Sequence, residues 1–269
     1  YVHSNTLTSQ SGASVVGGGG ICIYTVSNVG EVLIENSKFW NNSFVGGGQY
    51  NGFSLAIYGV SDAVLKHVDV MEENINYVLQ STTYEGGFIS VFTISSILVE
   101  NCNFSNNQLD LSLVQPTATI LGGMFLFDSF NVTISNCIAT NNTITLTTRA
   151  NQIALVGGII GISVTQVHVL VSDTIFSNNL VTCNSYEGPL FQLSGALGIL
   201  GTQLRSVSLQ NCQFLSNSIE MLSSSASTFF EYGAGFYLSS TGIFRPSVEL
   251  KDCEFISNSL ISVNDIVPR

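Results

Sequence analysis

The sequence predicts an all-β fold, a right-handed parallel β-helix: a solenoid of about seven coils with 32–41 residues per repeat. Three observations point there. One phrase recurs in phase along the chain, a glycine-led strand recurs between its copies, and the helical spacing i, i+3, i+4, i+7 is missing nearly everywhere.

The phrase has the form Val-x-Ile-x-Asn/Asp-Cys-x-Phe-x-x-Asn. It reads Val32 to Asn42, Ile97 to Asn107, Val132 to Asn142, Val169 to Asn179, Val207 to Asn217 and Val248 to Asn258. A degenerate copy is read from Val64 to Asn74, with Met71 in the Phe position. Starts at 32, 64, 97, 132, 169, 207 and 248 give steps that lengthen from 32 to 41. The glycine-led strands run from Gly19, Gly86, Gly122 and Gly157, with looser versions from Gly195 and Gly233. The lengthening is assigned to the stretch after each final Asn, such as 108–121 and 218–232, which places variable loops on one side of the solenoid.

Period-two alternation turns Val32, Ile34 and Phe39 inward, and likewise Val99, Cys102 and Phe104. Asn36, Asn101, Asn136 and Asn211, with Asp173 and Asp252, fall at one corner, because Asn and Asp tolerate the left-handed backbone of a sharp bend. Stacked in register they can form a hydrogen-bonded ladder. The final residues Asn42, Asn74, Asn107, Asn142, Asn179, Asn217 and Asn258 predict a second ladder. The whole chain, 1–269, reads as one domain, an excerpt of a longer solenoid or a stacking subunit.

Composition narrows the partners. Only 9% of the 269 residues are charged against 45% hydrophobic, where about 25% charged is usual. A net charge of −11 opposes nucleic acid, whose phosphates need Lys and Arg, and opposes an anionic membrane surface. The longest apolar run, Ile153 to Ile162, is broken by Gly157, Gly158 and Gly161 and falls short of the roughly 20 residues of a membrane span. Few Lys, many Ser, Thr and Asn, and six Cys suit an extracellular or cell-surface location.

The repeated Phe-x-x-Asn, as in Phe39 to Asn42, Phe104 to Asn107, Phe176 to Asn179, Phe214 to Asn217 and Phe255 to Asn258, alternates with Gly-Gly strands. In this the chain resembles the repeats of polymorphic outer-membrane proteins and related pectin-lyase-like surface β-helices. The resemblance implies a secreted adhesin or surface stalk. It also implies an alternative, since pectin-lyase-like folds include carbohydrate-active enzymes and glycan-binding modules. Such enzymes use clustered Asp, or Asp with Lys or Arg. Here Lys38, Lys66, Arg149, Arg205, Arg245, Lys251 and Arg269 are scattered over different phases. Asp173 and Asp252 share the corner phase two coils apart, roughly 10 Å at ~4.8 Å per coil, and read as turn formers. Asp69, Glu72 and Glu73 read as a solvated face without a calcium loop, and His3, His67 and His168 fall in unrelated phases. The expectation is a non-enzymatic protein without catalytic residues, cofactor or metal.

Cys102, Cys137, Cys212 and Cys253 occupy one phase, with Thr174 interrupting. Stacked at ~4.8 Å they form either disulfides or a column of buried thiols. Four sequons occur, at Asn41, Asn103, Asn131 and Asn141, with Asn41 and Asn141 in the same outward phase. Val2 to Asn5 reads as a fragment of the phrase, so both ends share one phase. That suggests end-to-end self-association or continuation of a longer solenoid, with glycans or surface proteins as further partners.

Overall fold

In the computed structural model every regular element among the described residues is a strand, and every strand pairing among them is parallel. The structure describes the chain except residues 1, 4–5, 9–12, 15–19, 26–29, 50–51, 80–82, 86, 114–116, 122, 149–151, 157, 165–167, 186–189, 202, 224–228, 241–244 and 265–269. Gly19, Gly86, Gly122 and Gly157 of the expected pairs, and Ser4 and Asn5 of the initial fragment, lie outside the described residues.

A full turn of the solenoid crosses three walls, the third of them described in five coils. The widest, an 18-stranded sheet, carries the glycine-led strand and both halves of the phrase. A coil in the middle runs Phe125–Asp128, Asn131–Ser135 and Ile138–Thr140 on this wall. Thr143–Thr148 then lies on a second, 9-stranded wall and Gln152–Val156 on a third, 5-stranded wall. The next coil repeats the course one layer on, pairing Val132 with Val169, Ala139 with Phe176, Ile144 with Val181 and Ile153 with Leu190. The phrase starts stack continuously through Val32, Ala63, Ile97, Val132, Val169, Val207 and Val248.

That register corrects the degenerate copy by one residue. Ala63, not Val64, stands over Val32, and Val70, not Met71, stands between Phe39 and Phe104. The rung under Asn42 is therefore Glu73, and Asn74 pairs with Ser43 on the second wall.

Alternation fills the interior as the pattern requires. Phe39, Val99, Cys102 and Phe104 are buried, while Val32 and Ile34 in an early coil pack against the core from half-exposed positions. Phe176, Phe214 and Phe255 lie nearly coplanar-parallel at centroid separations of 4.8 and 4.7 Å, the spacing of stacked strands. Glycine is required where the first-wall corners nest. A Cβ on Gly158 would run into the backbone of Ser194 and Gly195, and one on Gly195 into the Ala234 carbonyl.

The growth in period is not confined to the stretch after the final Asn. It also occurs on the first wall, between the glycine-led strand and the Val-x-Ile strand. The two are one continuous strand at Leu55–Met71 and Ile89–Glu100. They then separate by residues 129–130, 165–167, 202–205 and 241–246 in successive coils. The sequence interval between the second-wall and third-wall strands lengthens as well, from Leu113–Thr117 to Ser223–Phe229.

Truncating the middle ring of the Phe stack tests this packing. Phe214→Ala is expected to cost about 3–5 kcal/mol in urea unfolding, with no change in the far-ultraviolet signature of the folded state.

Candidate functional site

Two columns of left-handed residues punctuate the phrase. Asn36, His67, Asn101, Asn136, Asp173, Asn211 and Asp252 have φ between 50° and 54°, and mark the bend between the halves of the phrase. Asn41, Glu72, Asn106, Asn141, Asn178, Ser216 and Ser257 have φ between 52° and 57°, and mark the bend onto the second wall. The first column is one of turns rather than a continuous side-chain ladder. Its amides bond to the next coil through the backbone, as Asn101 N to Ser135 O at 3.0 Å and Asn136 N to Ser172 O at 3.1 Å. Among the described residues its one side-chain bond along the stack joins Asn211 Nδ2 to Asp173 Oδ1 at 3.1 Å. The physical reason is exposure, since water competes for amides that point outward.

The ladder is the inward column that follows. Asn107, Asn142, Asn179 and Asn217 are buried, and each Nδ2 donates twice. One bond goes back to a main-chain carbonyl of the preceding coil, from Asn142 to Phe104 at 2.9 Å and from Asn217 to Phe176 at 2.9 Å. The other goes forward to the next Oδ1, at 2.9 Å from Asn107 to Asn142 and 3.0 Å from Asn142 to Asn179. It continues at 2.8 Å to Asn217 and 2.9 Å to Asn258. Each Oδ1 also accepts the main-chain N–H of the preceding rung, as Asn142 Oδ1 does from Asn107 N at 3.2 Å. From Asn107 to Asn217 every side-chain donor and acceptor of a rung is bonded.

Glu73 occupies one rung of this column. It is 1% exposed, not part of a solvated face with Asp69 and Glu72. Its Oε1 accepts from Asn42 Nδ2 at 2.7 Å and its Oε2 from Ser54 Oγ at 2.6 Å. Burial pushes its carboxyl up to about 7, against the lowering effect of those two bonds. Nothing in the repeat pattern announces it, because Asn74 beside it completes the phrase by eye.

The cysteines form a donor column. All six are free thiols. Cys102, Cys137, Cys212 and Cys253 each point Sγ–H at the carbonyl two residues before and at one in the preceding coil. For Cys102 these are Glu100 O at 3.3 Å and Leu65 O at 3.5 Å. For Cys212 they are Gln210 O at 3.3 Å and Val171 O at 3.4 Å. Thr174 fills the gap with the same bond, Oγ1 to Ser172 O at 2.7 Å. The column therefore selects a small inward donor. Burial pushes Cys212 to about 11 and Cys183 to about 12, so neither is a ready nucleophile.

Outside, Asn41 and Asn141 are exposed in the second left-handed column, and Asn131 is exposed at a strand start. Asn103 is half-buried and its amide rests on Met71 Sδ at 3.3 Å. Asp173 and Asp252 stand in one column with Asn211 between them, the arrangement of turn formers. The widening first-wall corner holds a shallow depression of about 280 Å3 lined by Phe130, Asn131, His168 and Arg205. There the Phe130 ring is 42% exposed and His168 Nδ1 lies 2.6 Å from Ser206 Oγ. Among the described residues no three or more His, Cys, Asp or Glu gather as a metal site.

Removing one rung tests the ladder. Asn179→Ala strips bonds to Ala139, Asn142 and Asn217, and is expected to cost about 2–4 kcal/mol by denaturant unfolding. In native alkylation at pH 8, Cys22 is expected to react while Cys102, Cys137, Cys183 and Cys212 stay protected until unfolding. An intact mass showing bridged cysteines would overturn the donor column.

No curated protein and no solved structure matches the chain. The family model described as "Right handed beta helix region" matches residues 2–196, more than half of the sequence, and it sets the hand of the stacked parallel coils. With its three parallel walls and inward ladder, the chain belongs to the right-handed β-helix family.

Proposed function

We propose that this chain is a non-enzymatic structural or adhesive β-helix of the cell surface or extracellular space, a component of a stalk, surface layer or filament. The observation that carries this reading is the use made of the recurrent polar residues. The inward Asn and the thiol column bond coil to coil, and the outward turn residues shape corners. Their chemistry is directed at length and rigidity. Asn41, Asn131 and Asn141 suit N-glycans in a secretory setting.

A second reading, a glycan-binding module, is favoured by the corner depression. An exposed ring beside an amide, an imidazole and the exposed Arg205 guanidinium suits a sugar that stacks on Phe130 and hydrogen-bonds around its rim.

A single set of assays separates them. The purified chain is expected to release no reducing ends or unsaturated products from acidic or neutral polysaccharides, and to appear as rods or end-to-end filaments by electron microscopy. Sustained turnover that a point substitution abolishes would overturn the structural reading. Glycan-array binding that Phe130→Ala and Arg205→Ala each weaken by about tenfold or more would establish the second reading.

A further inference from the structure

We propose that Glu73 is a proton-controlled joint in the solenoid: in its neutral form it continues the buried column between Asn42 and Asn107, and its ionisation loosens the coils on its N-terminal side. Four geometric facts point there. The side chain is sealed from water at the rung between those two residues. An Asn rung can donate back and forward, and a carboxylate can do neither, so the column's run of donors stops at this layer. The forward link survives only through the main chain, from Glu73 N to Asn107 Oδ1 at 3.1 Å. The side-chain links all lie at or before its own coil, on Asn42 and Ser54.

Among the described residues no cation bonds to the carboxylate. Of the charged residues on the strands packed around it, Lys38 lies over the Trp40 ring and Glu72 bonds to Trp40 Nε1 on the outer face. Lys66 pairs with Glu100, Asp62 takes the Ser96 hydroxyl, and Asp110 takes the Gln108 amide. Glu31 and Glu35 are exposed, and Asp69 alternates with the buried Val68 and Val70. In the neutral form the proton sits on Oε2 and is donated to Ser54 Oγ, since Oε1 already accepts from Asn42 Nδ2 and, at 3.4 Å, from Asn42 N. The buried network is then uncharged, like the rungs beyond it.

The sign follows from the two protonation midpoints. A carboxyl that titrates at about 7 when folded and at 4.5 in the open chain holds its proton more tightly in the folded state. Its stabilisation is complete below 4.5 and is lost as pH rises through about 7. Above that, a buried uncompensated charge presses on the contact between the coils ending at Asn42 and Glu73. The effect is local because a solenoid layer touches only its neighbours.

Hydrogen exchange on the full 269-residue chain at pH 5.5 and 8, corrected for intrinsic rates, tests this. Peptides across 31–49 and 55–79 are expected to lose protection by at least about tenfold at the higher pH, relative to 131–223. Glu73→Gln is expected to abolish the difference. Equal protection in the wild type at both pH values, or the same loss in Glu73→Gln, would overturn the proposal. Should that variant fail to fold, carboxyl-13C titration of the wild type decides. A Glu73 midpoint near 7 sustains the joint, and one in the ordinary carboxylate range refutes it.

Discussion

A chain that winds parallel strands into a tube has to satisfy its inward polar groups from the layers above and below, because the rest of the interior is packed with apolar side chains. The Asn column meets that constraint, and much of the molecule is arranged around it. The rung amide fastens the bend onto the second wall by donating to the Phe-position carbonyl of the preceding coil, while its oxygen collects the amide of the preceding rung. The bend itself needs the left-handed residue just before the rung, so the two columns come as a pair. With the bend fixed, the Phe position two residues earlier has to face inward, and the stacked rings follow.

The thiol column solves the same problem at the other bend. A buried carbonyl there needs a donor too small to displace neighbouring rings. Cys and Thr both provide one, which explains how Thr174 sits in a run of cysteines without a defect. Seen this way, the column's cysteines are hydrogen-bonding parts of the core first, and burial holds back the sulfur chemistry of Cys212 within it and of Cys183 outside it.

Much of this was legible in the sequence because the pattern is set by neighbours of identical type. Val207 over Val169 and Phe214 over Phe176 need no context beyond their own repeat. Three features were not. Glu73 breaks the column's residue type, and Asn74 beside it draws the alignment one place too far. The second left-handed column mixes Asn with Ser and Glu72, so its shared backbone conformation has no shared side chain. The widening corner on the first wall was hidden because the Gly-Gly pairs suggest a unit of constant length. Counting from strand ends shows the drift. The depression at Phe130, His168 and Arg205 belongs to that corner, and no periodic signal places those three together.

The forward amide bonds of the ladder all run one way along the tube, from Asn107 through Asn142, Asn179 and Asn217 to Asn258. The column is therefore a vector along the axis of the tube. Anything that extends it through this column has to be unidirectional, so a filament or a longer solenoid built on it has a distinguishable front and back.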